Sequence, residues 1–113
     1  MTGTEYQKLA MRTTRDEWRG KGLWEQKVHA VTGLASEAGE VAGMIQKMYQ
    51  GHTMEVPHLI KELGDVMWFI AECCDAWGIN LDEVMKINID KLRARYPEGF
   101  DAEHSLHRAE GDI

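Results

Sequence analysis

Proline and cysteine are scarce in this chain of 113 residues, with two of each. The cysteines, Cys73 and Cys74, are adjacent, and neighbours make a poor structural crosslink. A disulfide framework is therefore excluded, and the pair reads as two reduced core thiols. Zinc-type spacing of cysteine and histidine is missing. No apolar run approaches the ~20 residues of a membrane span. The opening "MTGTEYQKLA" lacks the basic and apolar regions of a signal peptide, so the chain is expected in the cytoplasm and away from membranes. Positive charge is short as well: 13 Lys and Arg stand against 19 Asp and Glu, a net charge of -6. That balance excludes a general affinity for nucleic acid, which needs a basic footprint. It leaves room for small anions held through a metal or a few local cations. Repeats, low-complexity tracts, long linkers and period-two alternation are absent too.

What is present is helical periodicity in one domain, 1–113, with a core of about 4–97 and a polar tail, 98–113. The first helix is expected over about 4–18, with Thr4 as N-cap, Gln7 three residues on and Tyr6, Leu9, Ala10 and Thr13 on one face. The second runs over about 24–50, where Val28, Val31, Leu34, Val41 and Ile45 recur at three- and four-residue steps, and Gly51 ends it. Pro57 suits the first turn of the third, which carries Leu59, Leu63, Val66, Ile70, Cys74 and Trp77 until Gly78 stops it. The fourth opens at Asn80, an N-cap with Glu83 completing a capping box, and continues to Pro97. The tail reads as irregular or loosely helical. The expected fold class is all-α, with four helices.

Two acidic pairs sit oddly in this pattern. Glu37 and Glu40 flank the apolar stripe of the second helix, while Glu62 projects within that of the third and Asp65 lies just outside it. Glu72-x-x-Asp75 and Glu98-x-x-Asp101 share the spacing. The first of these projects onto the polar face of the third helix and the second follows Pro97, so both read as solvated charge. Carboxylates beside a core are costly unless paired or bound to metal. Glu37, Glu40, Glu62 and Asp65 are thus either a metal site or surface acids at the edge of the core. Hard oxygens without histidine or cysteine suit Mg²⁺ or Mn²⁺. A di-iron bundle needs Glu-x-x-His on two helices, and the one match, Glu55 to His58, falls at a helix start. Asn88, Lys91 and Arg95 line one side of the fourth helix, where an amide and two cations can hold phosphate oxygens.

Glu37-x-x-Glu40, twenty-one residues, then Glu62-Leu-Gly-Asp65-Val resembles the MazG-like family of all-α nucleoside triphosphate pyrophosphohydrolases. "ELGDVMWFIA" and "WGINLDEVMKINIDKLRARYP" are similar to that family's third and fourth helices, and the resemblance covers roughly 24–108. It implies a four-helix MazG-like bundle completed by dimerisation, as a homodimer or dimer of dimers, which the broad apolar stripe of the third helix fits, with a self-contained monomeric bundle as the alternative. It implies Mg²⁺-dependent cleavage of a (d)NTP to monophosphate and pyrophosphate, in nucleotide-pool control or house-cleaning. Mn²⁺ is the expected substitute. Glu37, Glu40, Glu62 and Asp65 match the metal positions, with Glu37 or Glu40 accepting the proton of the attacking water. Asn88 and Lys91 match the family's polar positions on the fourth helix. Trp24, His29 and Trp68 are candidates for contact with the base, against ordinary packing. Lys47 and Lys61 read as solvated helix charges more than as phosphate ligands. Two alternatives stand beside this reading: a non-catalytic helical interaction module on the same fold, and a pyrophosphohydrolase of another substrate, such as a phosphoribosyl compound or an alarmone.

Overall fold

A computed structural model describes residues 1–113 and contains helices but no strand. There are five: α1 (Gly3–Ala10), α2 (Trp24–Tyr49), α3 (Val56–Trp77), α4 (Leu81–Arg95) and α5 (Ala102–Leu106). The all-α expectation holds, with one helix more than the four expected. The chain divides into two compact units, Met1–Leu81 and Asp82–Ile113.

In the first unit α2 and α3 form the principal packed pair, and α1 packs on α3. The short connection 50–55 makes α3 return along α2, so early residues of one helix meet late residues of the other. α3 stops where the sequence says it must. Gly78 takes φ 67°, and the N–H groups of Gly78 and Ile79 donate to Asp75 and Cys74 carbonyls, satisfying orphan acceptors of the last turn. Cys74 is buried and Cys73 half-buried; both thiols are free, and burial pushes both upward in pKa.

The first helix departs from expectation. Thr2, not Thr4, caps it: Thr2 Oγ1 accepts from the Glu5 N–H and Glu5 accepts from the Thr2 N–H, a reciprocal capping box. Gln7 instead reaches the start of α4, where its amide oxygen accepts from the Leu81 N–H at 2.7 Å. α1 ends at Ala10 rather than near Trp18, passing through a 3-10 turn, Met11–Thr13, into extended Thr14. Hydroxyl side chains compete with the helical ladder here, as Thr13 Oγ1 donates back to the Ala10 carbonyl. Residues 14–23 then fold across α3. Arg19 fixes this segment by donating to the Met11 carbonyl, and Trp68 Nε1 donates to Ala10 O and Thr13 Oγ1.

That fold-back corrects the reading of Glu72 and Asp75 as solvated. Glu72 is 0% exposed and accepts from Thr14 Oγ1. Asp75 accepts from the Gly20 N–H and from Gln26 Nε2. The face of α3 that is polar in projection is covered by residues 14–23, of which only 14–18 fall within the expected first helix.

In the second unit the tail is more ordered than expected. Asp101 caps α5 by accepting from the Glu103 and His104 N–H groups. The Tyr96 and Phe100 rings meet at a tilt with centroids 5.4 Å apart, and Asp112 returns to Arg95 of α4.

Candidate functional site

Glu37 of α2 and Glu62 and Asp65 of α3 each place a carboxylate oxygen within 4.8 Å of the other two. The i, i+3 spacing puts Glu62 and Asp65 on one flank of α3, and the antiparallel return of α3 brings that flank to Glu37. The crowding is felt electrostatically. Burial first, then the charges of Asp65, Glu62 and Glu40, raise the Glu37 carboxyl above its ordinary value, and a hydrogen bond to Glu62 adds to this. Tyr6 of α1 stands near enough that burial and the Asp65 charge raise its phenol too.

The donor set fits a hard divalent cation. Three carboxylate oxygens from Glu37, Glu62 and Asp65 suit Mg²⁺ or Mn²⁺ better than a soft metal. In an octahedral Mg²⁺ shell, neighbouring and opposite oxygens stand about 2.9 and 4.1 Å apart, so small side-chain adjustments would close the cluster on an ion.

Glu40 lies outside this three-oxygen group. It is exposed and, with Glu62, lines an adjoining cavity of about 330 Å³ into which Lys47, His52 and His58 also face. His58 Nε2 stands 3.2 Å from Glu62 Oε1. Lys47 therefore borders the acidic centre; Lys61 is exposed and does not line that cavity.

The aromatic candidates divide. His29 and Trp68 come together edge-on with centroids 6.4 Å apart, whereas Trp24 is 71% exposed at the first residue of α2. Two rings absent from the expected set complete the cluster: Trp18 and Phe69, with centroids 5.2 and 5.6 Å from His29. Phe69 packs directly on the α2 backbone, where a Cβ at Gly33 would run into its ring. His29 Nδ1 contacts Glu72 Oε1, and the other Glu72 oxygen is taken by Thr14. This fixes the imidazole on one side while its side chain remains 46% exposed. Helical projection of α3 alone carries no signal for Glu72 or for Trp18, because both depend on the fold-back of 14–23. The adjacent Thr13 and Thr14, poor helix formers with competing hydroxyls, are the one local hint.

On α4, Asn88 and Lys91 are exposed. Arg95 is engaged: its Nε and Nη2 donate to the two carboxylate oxygens of Asp112 at 2.8 Å each. Lys91 and Arg95 line one cavity with residues of the tail, and Asn88 does not line it.

Among known proteins, the MazG nucleotide pyrophosphohydrolase domain matches residues 26–100. The gene 37 protein of Mycobacterium phage L5 is 32% identical over 76 residues, covering 63% of this chain and 67% of that protein. The uncharacterized protein YvdC of Bacillus subtilis (strain 168) is 33% identical over 73 residues, covering 56% of this chain and 69% of YvdC. No solved structure matches. The matched span contains both acidic pairs, the His29 cluster apart from Trp18, and all of α4.

Proposed function

The chain belongs to the MazG nucleotide pyrophosphohydrolase family, and from that membership we propose that it is a Mg²⁺-dependent enzyme cleaving a nucleoside triphosphate to monophosphate and pyrophosphate, with Mn²⁺ able to substitute. The observation that carries the reading is the convergence of Glu37, Glu62 and Asp65. A pyrophosphohydrolase-type hydrolase needs such a centre, because a triphosphate would be repelled by bare carboxylates.

In this reading Glu37, Glu62 and Asp65 would hold the ion, which when bound would neutralise charge and lower the pKa of a water. Glu40, uncommitted to the three-oxygen group, is the freer acceptor for the water's proton, with Glu37 the other candidate. Lys91 and Asn88 of α4 bind phosphate oxygens. His29 contacts the base through the edge of its ring turned away from the Nδ1–Glu72 contact, and Trp18, Trp68 and Phe69 supply apolar ring surface around it. The role is nucleotide-pool control or house-cleaning.

A second copy completes the molecule, as a homodimer or dimer of dimers. Support comes from apolar side chains left in water on the principal helices, with Ile60 at 63% and Val31 at 50% exposure. No helix is long and apolar enough to cross a membrane.

The test is a screen of purified protein against canonical and modified (d)NTPs with Mg²⁺, scoring pyrophosphate. The expected product pair is monophosphate plus pyrophosphate from at least one nucleotide. Orthophosphate with a diphosphate product contradicts the reading. No turnover of any nucleotide, with turnover of a phosphoribosyl compound or alarmone, would move the substrate class; no turnover of any of them would favour a non-catalytic module.

A further inference from the structure

The polar tail ends in a contact that a disordered appendage would not make. Within residues 82–113, Asp112 folds back on α4 and meets Arg95 through two parallel N–H···O bonds of 2.8 Å. The pair is sheltered, with side chains 9% and 14% exposed. Around it lies a cavity of about 360 Å³ lined by Lys91, His104, His107 and Arg108. The Asp112 carboxyl is held below the ordinary aspartate range, first by hydrogen bonding to Arg95 and further by the charges of Arg95, Arg108 and Lys91.

Three permanent cations thus converge on one carboxylate, in a chain whose net charge is -6. Cations of one sign repel one another, and such a convergence needs an anion at its centre. A guanidinium fork accepts carboxylate and phosphate oxygens with the same bidentate geometry, and phosphate carries more charge and more acceptors. The cavity also has room beyond Asp112, since two histidines line it without bonding to that carboxylate.

We infer that residues 82–113 carry a phosphate-binding site built by Lys91, Arg95 and Arg108, and that the Asp112 carboxylate occupies it in the free chain. The phosphate assignment rests on the proposed function through Lys91; the third cation, Arg108, and the occupant, Asp112, rest on the tail's own geometry. Asp112 is then an intramolecular competitor. A phosphate or polyphosphate group binds by displacing it, and binding releases residues 109–113 from α4.

The test uses inorganic pyrophosphate, titrated into the full chain by calorimetry without divalent metal and at fixed ionic strength. Asp112→Asn is expected to tighten binding roughly tenfold, because the competing charge is gone while the cations remain. Arg108→Gln, which leaves the Arg95–Asp112 pair intact, is expected to weaken it roughly tenfold. Amide signals of residues 109–113, followed by NMR, are expected to shift toward disordered positions as pyrophosphate saturates the wild-type chain. Equal or weaker binding by Asp112→Asn would make the contact a structural clasp and overturn the inference, and so would an unchanged affinity in Arg108→Gln. The readout is independent of turnover. Binding with these variant effects in a chain that hydrolyses no nucleotide would retain this site and reject the nucleoside triphosphate reading, whereas nucleotide turnover without them would do the reverse.

Discussion

At the scale of single residues, charge placement dominates. Glu37, Glu62 and Asp65 repel one another in the absence of a cation, and their charges add to burial, the larger cause, in raising the Glu37 carboxyl. Removing one charge should relieve the repulsion while destroying the proposed ion site. Glu62→Gln and Asp65→Asn are therefore expected to abolish turnover yet keep full helicity and an unchanged or slightly higher melting temperature without metal. Circular dichroism and an activity assay check this; near-normal activity in both would remove these residues from the metal site. Glu72 is the opposite case, a carboxylate that is stabilising because both oxygens are used. Glu72→Ala leaves the Thr14 hydroxyl and His29 Nδ1 without their partner and should cost about 2–3 kcal/mol by denaturant unfolding. In the same variant the His29 ring signals should show loss of its fixed orientation.

At the scale of elements, the contact of α2 with α3 depends on one small residue. Gly33 lets the Phe69 ring lie on the α2 backbone, and that ring in turn packs against His29 and Trp68. Alanine there gains up to ~1 kcal/mol of helix propensity. It also forces the ring out of a packed position, an overpacking cost of typically ~1–3 kcal/mol. Gly33→Ala is thus expected to destabilise by about 1–2 kcal/mol, with a change in tryptophan fluorescence as Trp68 loses its edge-on neighbour. Stabilisation, with fluorescence unchanged, would show that the ring adapts freely and that the aromatic cluster is loosely held.

At the scale of the molecule, too little apolar surface is enclosed. The buried apolar positions are mostly alanines, with Met11, Cys74 and Leu81, while Ile60, Leu63 and Met67 of α3 remain exposed. A chain of 113 residues can bury a substantial core, and this one leaves a face on α3 that a second copy would cover. Ile60→Glu combined with Leu63→Glu should yield a monomer in analytical ultracentrifugation and a melting point several degrees lower, since a dimer gains stability by mass action. If the wild-type chain sediments as a monomer at every concentration, the proposed assembly is wrong.

The sequence by itself determined the all-α class, the bounds of α2 and α3, the start and stop signals at Pro57 and Gly78, and the two acidic pairs whose i, i+3 spacing gives each helix a carboxylate flank. These are local properties: periodicity and capping act within one element, so they are legible without the rest of the chain. The tertiary structure decided which of those carboxylates meet, leaving Glu40 beside the cluster of Glu37, Glu62 and Asp65. It decided that Trp18 joins His29 while Trp24 does not, and that Arg95 is held by Asp112. It buried Glu72 on a face that projects as polar, through a hydrogen bond from Thr14, 58 residues away. Projection of a helix shows how its side chains are arranged around the axis. Which side water reaches depends on what another segment covers, and that is settled only by contacts distant in the chain.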